Sequence, residues 1–210
     1  MCRRWLAFVA ILLTLMINTG CDAGLRLHDS HVDVYQRVHR MYNRMTSYTA
    51  NVHLTVKGDK SDNVYELTHQ VKAPDQAVVT VCAPEPLAGL CTVYNGDRVH
   101  VTAPKAGQAL QAAAPDIPNC LLVHEFFAQY YASEETAISV SGDAEGDTLL
   151  LETECRPQEA DSYKVTMLLD TKTLLPKTVT IFDAGGNVRM LAEYTDFCYN
   201  PDVPEELFTF

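Results

Sequence analysis

Several things are missing from this chain of 210 residues, and each absence closes off a class of function. No CxxC occurs, so a thioredoxin-like redox motif is excluded. HExxH, GxSxG, GxGxxG and the P-loop are also missing, and with them the short signatures of zinc proteases, serine hydrolases, dinucleotide enzymes and P-loop NTPases. Basic residues are scarce, at 16 Lys and Arg against 27 Asp and Glu, for a formal charge of −11. That balance argues against nucleic acid and against adhesion to anionic head groups. No apolar run reaches the 20 or so residues of a membrane-spanning helix. No internal repeat or low-complexity linker divides the chain, and its length past the first 20 residues suits one domain with a substantial core.

The N-terminus is the most informative segment. Cys2, Arg3 and Arg4 form a basic start, Trp5 to Ile17 is nearly unbroken apolar, and Asn18-Thr19-Gly20 lead to Cys21. This reads as residues 1–20 of a secretory signal, too short for an anchor helix. The ending resembles a bacterial lipobox: Gly20-Cys21 fits, Thr19 is acceptable, and Asn18 departs from the usual aliphatic residue. The expectation is a diacylated Cys21, a lipidated tether over residues 21–29 and a domain over 30–210. Two acyl chains give stable membrane anchoring, which places the protein outside the cytoplasm. The competing reading is an ordinary signal peptide cleaved near Gly20 or Ala23. Cleavage before Cys21 removes two basic and no acidic residues, leaving a formal charge of −13.

Five cysteines then remain: Cys82, Cys91, Cys120, Cys155 and Cys198. Extracytoplasmic thiols tend to pair, and the odd number leaves at least one over, a route to a dimer. Cys82 and Cys91 flank a short loop, and Cys155 and Cys198 each close an expected strand, so these make two candidate disulfides. Zinc is the alternative, but no short-spaced ligand pair seeds it. No cofactor is expected beyond the covalent lipid on Cys21.

Ser30 can cap an amphipathic helix in which Val32, Tyr35, Val38, Met41, Tyr42 and Met45 share a face. From Ser47 the period changes to two. Strands are expected from Ser47 to Lys57, Tyr65 to Lys72, Ala77 to Cys82, Cys91 to Tyr94 and Arg98 to Thr102, the last pair joined by Asn95-Gly96-Asp97. Ala103 to Pro118 reads as a loop with freedom to move, a lid in the lipid-binding reading. Cys120 to Tyr131 reads as a strongly apolar helix, of the kind normally buried, that lies either on a filled core or over a hollow. Strands follow at Thr148 to Cys155, Tyr163 to Asp170, Lys177 to Phe182 and Val188 to Cys198, with a short one at Ile138 to Ser141. The class is α+β, with about nine to eleven strands in a single large antiparallel sheet.

The seven histidines are scattered, with His53 on a polar phase and His69 on an apolar one, so the two do not converge. Glu134-Glu135 and Glu205-Glu206 read as solvated turn residues. No metal set, paired carboxylates or nucleophile with a base emerges, and the expectation is a protein that is not an enzyme.

The order of helix, meander, the Val93 to Val99 hairpin, apolar helix, then Leu169 to Lys177, Asp183 to Asn187 and Glu193 to Phe197 resembles the LolA/LolB/MucB superfamily of lipoprotein-sorting proteins. Within it, the lipid-anchored germination lipoprotein GerS group is similar in layout. The resemblance implies a curved sheet forming an incomplete barrel covered by helices. It implies either a hydrophobic pocket for a lipid or lipoprotein acyl chains, or a surface that docks an envelope protein it activates or regulates. Leu121, Leu122, Phe126, Phe127, Leu54 and Val56 are the candidate pocket residues. The preferred reading is the tethered binding module; the alternative is a carrier or receptor in outer-membrane lipoprotein sorting.

Overall fold

The computed structural model describes residues 29–114, 119–143, 146–155 and 163–210. The signal, Cys21 and the tether up to residue 28 lie outside the described residues, and the first helix starts at Asp29, one residue inside the expected tether, so Ser30 lies within the helix rather than capping it. From Val34 onward the described residues pack as one compact unit, apart from Asp29–Asp33 at the start of the first helix. None of the described helices is long and apolar enough to cross a membrane.

Helix α1 spans Asp29–Tyr42. It leads into a meander of six strands: β1 (Ser47–Val56), β2 (Asn63–Lys72), β3 (Gln76–Ala83), β4 (Cys91–Asn95), β5 (Arg98–Ala103) and β6 (Gln108–Ala113). Helix α2 (Val123–Ala132) connects it to a second meander: β7 (Thr136–Asp143), β8 (Gly146–Cys155), β9 (Tyr163–Asp170), β10 (Pro176–Phe182) and β11 (Val188–Tyr199). The two meanders join where β1 pairs antiparallel with β11, giving one eleven-stranded sheet in the order β6-β5-β4-β3-β2-β1-β11-β10-β9-β8-β7. Strands β6 and β7, consecutive in sequence, therefore form opposite edges. The segment between them must run from one edge to the other, and α2 on that path packs against β8.

Strand alternation sets the core. Tyr48, Ala50, Val52 and Leu54 of β1 are buried, and their cross-strand partners include Val71, His69 and Leu67 of β2 and Tyr194 and Ala192 of β11. All of these but His69, with Val179, Val165, Met167, Leu149 and Leu151, build one apolar cluster closed by Val38 and Tyr42 of α1 and by Val123, Phe126, Phe127 and Tyr130 of α2. A second cluster, Val78, Val93, Val203 and Phe208, forms where the C-terminal segment lies on β3 and β4. Asn95 Nδ2 donates to the Phe208 carbonyl at 3.0 Å, Lys72 pairs with Glu205, and Phe210 stacks on His100 at 5.0 Å.

Three further sequence expectations are corrected. Ala103 to Pro118 is not a loop throughout: a short 3-10 turn at Pro104–Ala106 is followed by β6, paired residue for residue with β5, while 115–118 lie outside the described residues. In the hairpin, Asn95 pairs with Arg98, so the loop is only Gly96-Asp97, and Gly96 carries the positive φ of 60° that a first-position glycine supplies. The apolar helix begins at Val123 rather than Cys120, because the chain first turns through Asn119, whose carbonyl accepts from Leu122 N–H at 2.7 Å.

Candidate functional site

The start of α2 is held by the sheet rather than by its own sequence. Leu122 precedes it and has no side chain able to cap, yet the first helical N–H groups need acceptors. Tyr48 of β1 provides one: its hydroxyl oxygen accepts from Val123 N–H at 3.1 Å. The same hydroxyl lies 3.4 Å from His69 Nδ1 on β2. Tyr194 of β11 donates to the Leu121 carbonyl just before the helix. His124 joins the group, its ring 6.5 Å from that of Tyr48. Three adjacent strands, β2, β1 and β11, and the start of α2 thus bring Tyr48, His69, His124 and Tyr194 together.

The electrostatics follow from burial. Desolvation disfavours imidazolium, so His69 is pushed down to about 4, helped by His124, and desolvation pushes His124 down to about 4 as well. Both rings are neutral at pH 7. Tyr48 and Tyr194 are held well above the ordinary tyrosine range, again by burial first. Since the Tyr48 oxygen accepts from Val123, its own proton is available to His69 Nδ1, giving a chain from β2 through β1 to α2. Tyr48 is 0 % exposed and His69 2 %, whereas His124 is only partly buried, so the group lies mostly inside the core with its His124 end nearer the surface. Its chemistry is that of a latch.

Beside it, α1 and α2 meet through aromatic rings. Tyr42 stacks on Phe127 at 3.7 Å, and its hydroxyl donates to the Leu174 carbonyl at 2.7 Å in the β9–β10 turn. That turn is the Leu169 to Lys177 motif: Asp170 Oδ1 accepts from the N–H groups of Lys172 and Thr173 at 3.0 and 2.7 Å, which holds its carboxyl below the usual range. His39 sits between Tyr35 and Tyr131, ring centroids 4.6 and 4.9 Å away, with Nε2 buried and unpartnered and its pKa lowered by burial.

Of the six pocket residues, Leu54, Leu122, Phe126 and Phe127 belong to the main core cluster, and Leu121 and Val56 pack partly buried against it. His53 stays on the other face, paired with Glu66 at 2.7 Å, so it and His69 do not meet. The sequence reading missed that His69 and His124 converge. The one available signal was that each interrupts an otherwise apolar phase. Glu134, Glu135, Glu205 and Glu206 are exposed. Among the described residues no group of three or more His, Cys, Asp or Glu is placed to hold a metal ion.

The candidate disulfides are corrected. Cys82, Cys91 and Cys198 are free thiols. Cys91 lies opposite Thr80, whose hydroxyl is 3.7 Å from its sulfur, so Cys82 is a diagonal neighbour at a Cα spacing of about 7–8 Å, beyond the usual disulfide range. Cys155 on β8 and Cys198 on β11 are separated by β9 and β10, about 14 Å at ordinary strand spacing.

An open antiparallel sheet joined at β1/β11, with a helix on the path from edge to edge and held by buried tyrosines, defines an α+β protein built on one large sheet. The chain belongs to the sporulation protein YdcC-like family, whose model matches residues 2–208. Among solved structures it is similar to an uncharacterized conserved protein from Thermus thermophilus, at 17 % identity, TM-score 0.53, covering 86 % of this chain and 94 % of that one. It is similar to a chain in the structure of the CwlD amidase from Clostridioides difficile in complex with the GerS lipoprotein, at 26 % identity, TM-score 0.50, covering 80 % and 95 %. It is also similar to the LolA superfamily protein NE2245 from Nitrosomonas europaea, at 13 % identity, TM-score 0.47, covering 85 % and 97 %. No curated protein sequence matches.

Proposed function

We propose that this protein is a membrane-tethered, extracytoplasmic binding module, without catalysis of its own, that docks and regulates an envelope enzyme of the amidase kind. The observation that carries this reading is the similarity, at 26 % identity over 80 % of the chain, to a chain of the amidase and lipoprotein complex. The interior supports it. Tyr48, His69 and Tyr194 beneath α2 are spent on holding the start of the helix, and the apolar side chains expected to line a pocket are packed together. Cys21 supplies the tether through a thioether-linked diacylglycerol. The direct experiment mixes the purified full-length protein, in detergent, with a CwlD-type amidase from the same cell and follows complex formation by calorimetry. A 1:1 complex is expected; an amidase that stays free at tens of micromolar overturns the reading. Labelling cells with radioactive palmitate is expected to mark the wild type and not Cys21→Ser.

A second reading, that the protein holds acyl chains, is favoured by one observation. On the core-side phase of β4 and β5, Thr92, Tyr94, Val99 and Val101 are only half-buried. Native mass spectra of the mature protein distinguish the two: a lipid mass that dissociates on denaturation supports cargo.

A further inference from the structure

Of the two edges of the sheet, one is guarded and one is not. A bare strand edge invites pairing, and natural proteins blunt it with charge, proline or cover. Strand β7 is preceded by the exposed Glu134-Glu135, and its Ile138 and Val140 pack against the core. Strand β6 reads Gln-Ala-Leu-Gln-Ala-Ala, six residues with no charge and no proline, all of them exposed.

The backbone pattern of β6 can be read off its partner. Ala114 N–H donates to the Asp97 carbonyl at 2.7 Å, which makes 97 and 114 a hydrogen-bonded pair. In an antiparallel ladder such pairs alternate, and the register pairs Val99 with Ala112, Val101 with Leu110 and Ala103 with Gln108. These three residues of β6 turn their N–H and C=O to β5. Ala109, Gln111 and Ala113 therefore turn theirs outward, where no described strand meets them. Leu110 continues the core-side row of Val79, Thr92 and Val101, yet is 65 % exposed. The row stops one strand short of being covered.

We infer that β6 is the docking edge for an extended segment of the protein partner, which adds a twelfth strand through Ala109, Gln111 and Ala113 and lays an apolar side chain against Leu110. Main-chain bonds supply the affinity of such strand addition and alternate side chains supply its specificity. A protein partner is the occupant rather than a second copy, because a copy, cleaved before Cys21, brings another formal charge of −13 to a strand that carries no cation to offset it. The segment that fits is neutral or basic with one apolar residue at its centre. This inference rests on the protein-docking reading.

The test uses the full-length protein and the amidase. Leu110→Lys spoils the apolar contact at an exposed position, and Gln111→Pro removes an outward N–H without touching the bonds to β5. Each is expected to raise the dissociation constant at least tenfold while the melting temperature stays within about 2 °C of wild type. Hydrogen exchange in the wild-type complex is expected to show new protection at Ala109, Gln111 and Ala113 and little change at Leu110 and Ala112. If wild type binds and both variants bind equally well, the inference is overturned and the docking reading stands. If wild type does not bind, both fall. A self-associated wild type that Leu110→Lys makes monomeric would assign the edge to a second copy and overturn the partner assignment.

Discussion

At the scale of single residues, the buried histidines make the strongest claim. His69 and His124 have folded-state values near 4 against an ordinary 6.5, so the unfolded chain binds protons more tightly. The associated stability is fully present above pH 6.5, declines as pH falls through the window from 6.5 to 4, and is gone below it, on the order of 3 kcal/mol for each ring. Thermal unfolding from pH 7.5 to 4.5 is expected to show that decline, and a flat profile would refute the buried neutral pair. His124→Leu offers a sharper reading, because its Nδ1 has no partner. The substitution is expected to leave stability at pH 7 unchanged or higher and to shrink the acid sensitivity. Tyr48→Phe goes the other way: it strips Val123 N–H of its acceptor at a fully buried position, at about 1–3 kcal/mol, which urea denaturation measures. Leu174 sets two effects against each other. Its φ of 60° is strained by about 1–2 kcal/mol, but its side chain is 4 % exposed. Loss of a buried leucine costs about 2–5 kcal/mol, so Leu174→Gly is expected to destabilise despite the relief.

Among elements, legibility follows the source of the signal. Strands such as β1, expected from Ser47 to Lys57 and found at Ser47–Val56, announce themselves by alternation between buried and more exposed residues. β6 carries no such alternation because both its faces are exposed, so its alanines and glutamines read as loop and only pairing with β5 makes it a strand. The start of α2 is hidden from the sequence for a related reason. Its cap is the hydroxyl of Tyr48, 75 residues away, and no local capping residue marks Val123. Asn95 has the chemistry of a turn residue, yet its side chain accepts from Gln76 at 3.2 Å and donates to Phe208, which keeps it in β4. At this scale, Phe126→Ala should uncouple α2 from the sheet: the side chain is 0 % exposed, and its loss is expected to cost about 3–5 kcal/mol in chemical denaturation.

For the whole molecule, the thiols provide a test of the sheet order. Cys82 and Cys198 are exposed and Cys120 is buried, so a thiol reagent is expected to modify the first two quickly in the native protein and Cys120 only on unfolding. A native Cys155–Cys198 bridge found by mass spectrometry would contradict the separation of β8 from β11. The α+β class, both described helices and most of the strands were determined by the sequence alone, because periodicity and turn chemistry are local and act wherever the chain finds itself. What only tertiary structure decided is which strands lie beside which. The pairing of β1 with β11 places β6 and β7 at opposite edges, breaks the expected cysteine pairing, brings His69 up to His124 at the start of α2, and leaves β6 bare. Each of those is a relation between segments far apart in the chain, and such relations are set by closure of the sheet and burial of its core face, not by any pattern a short window can carry.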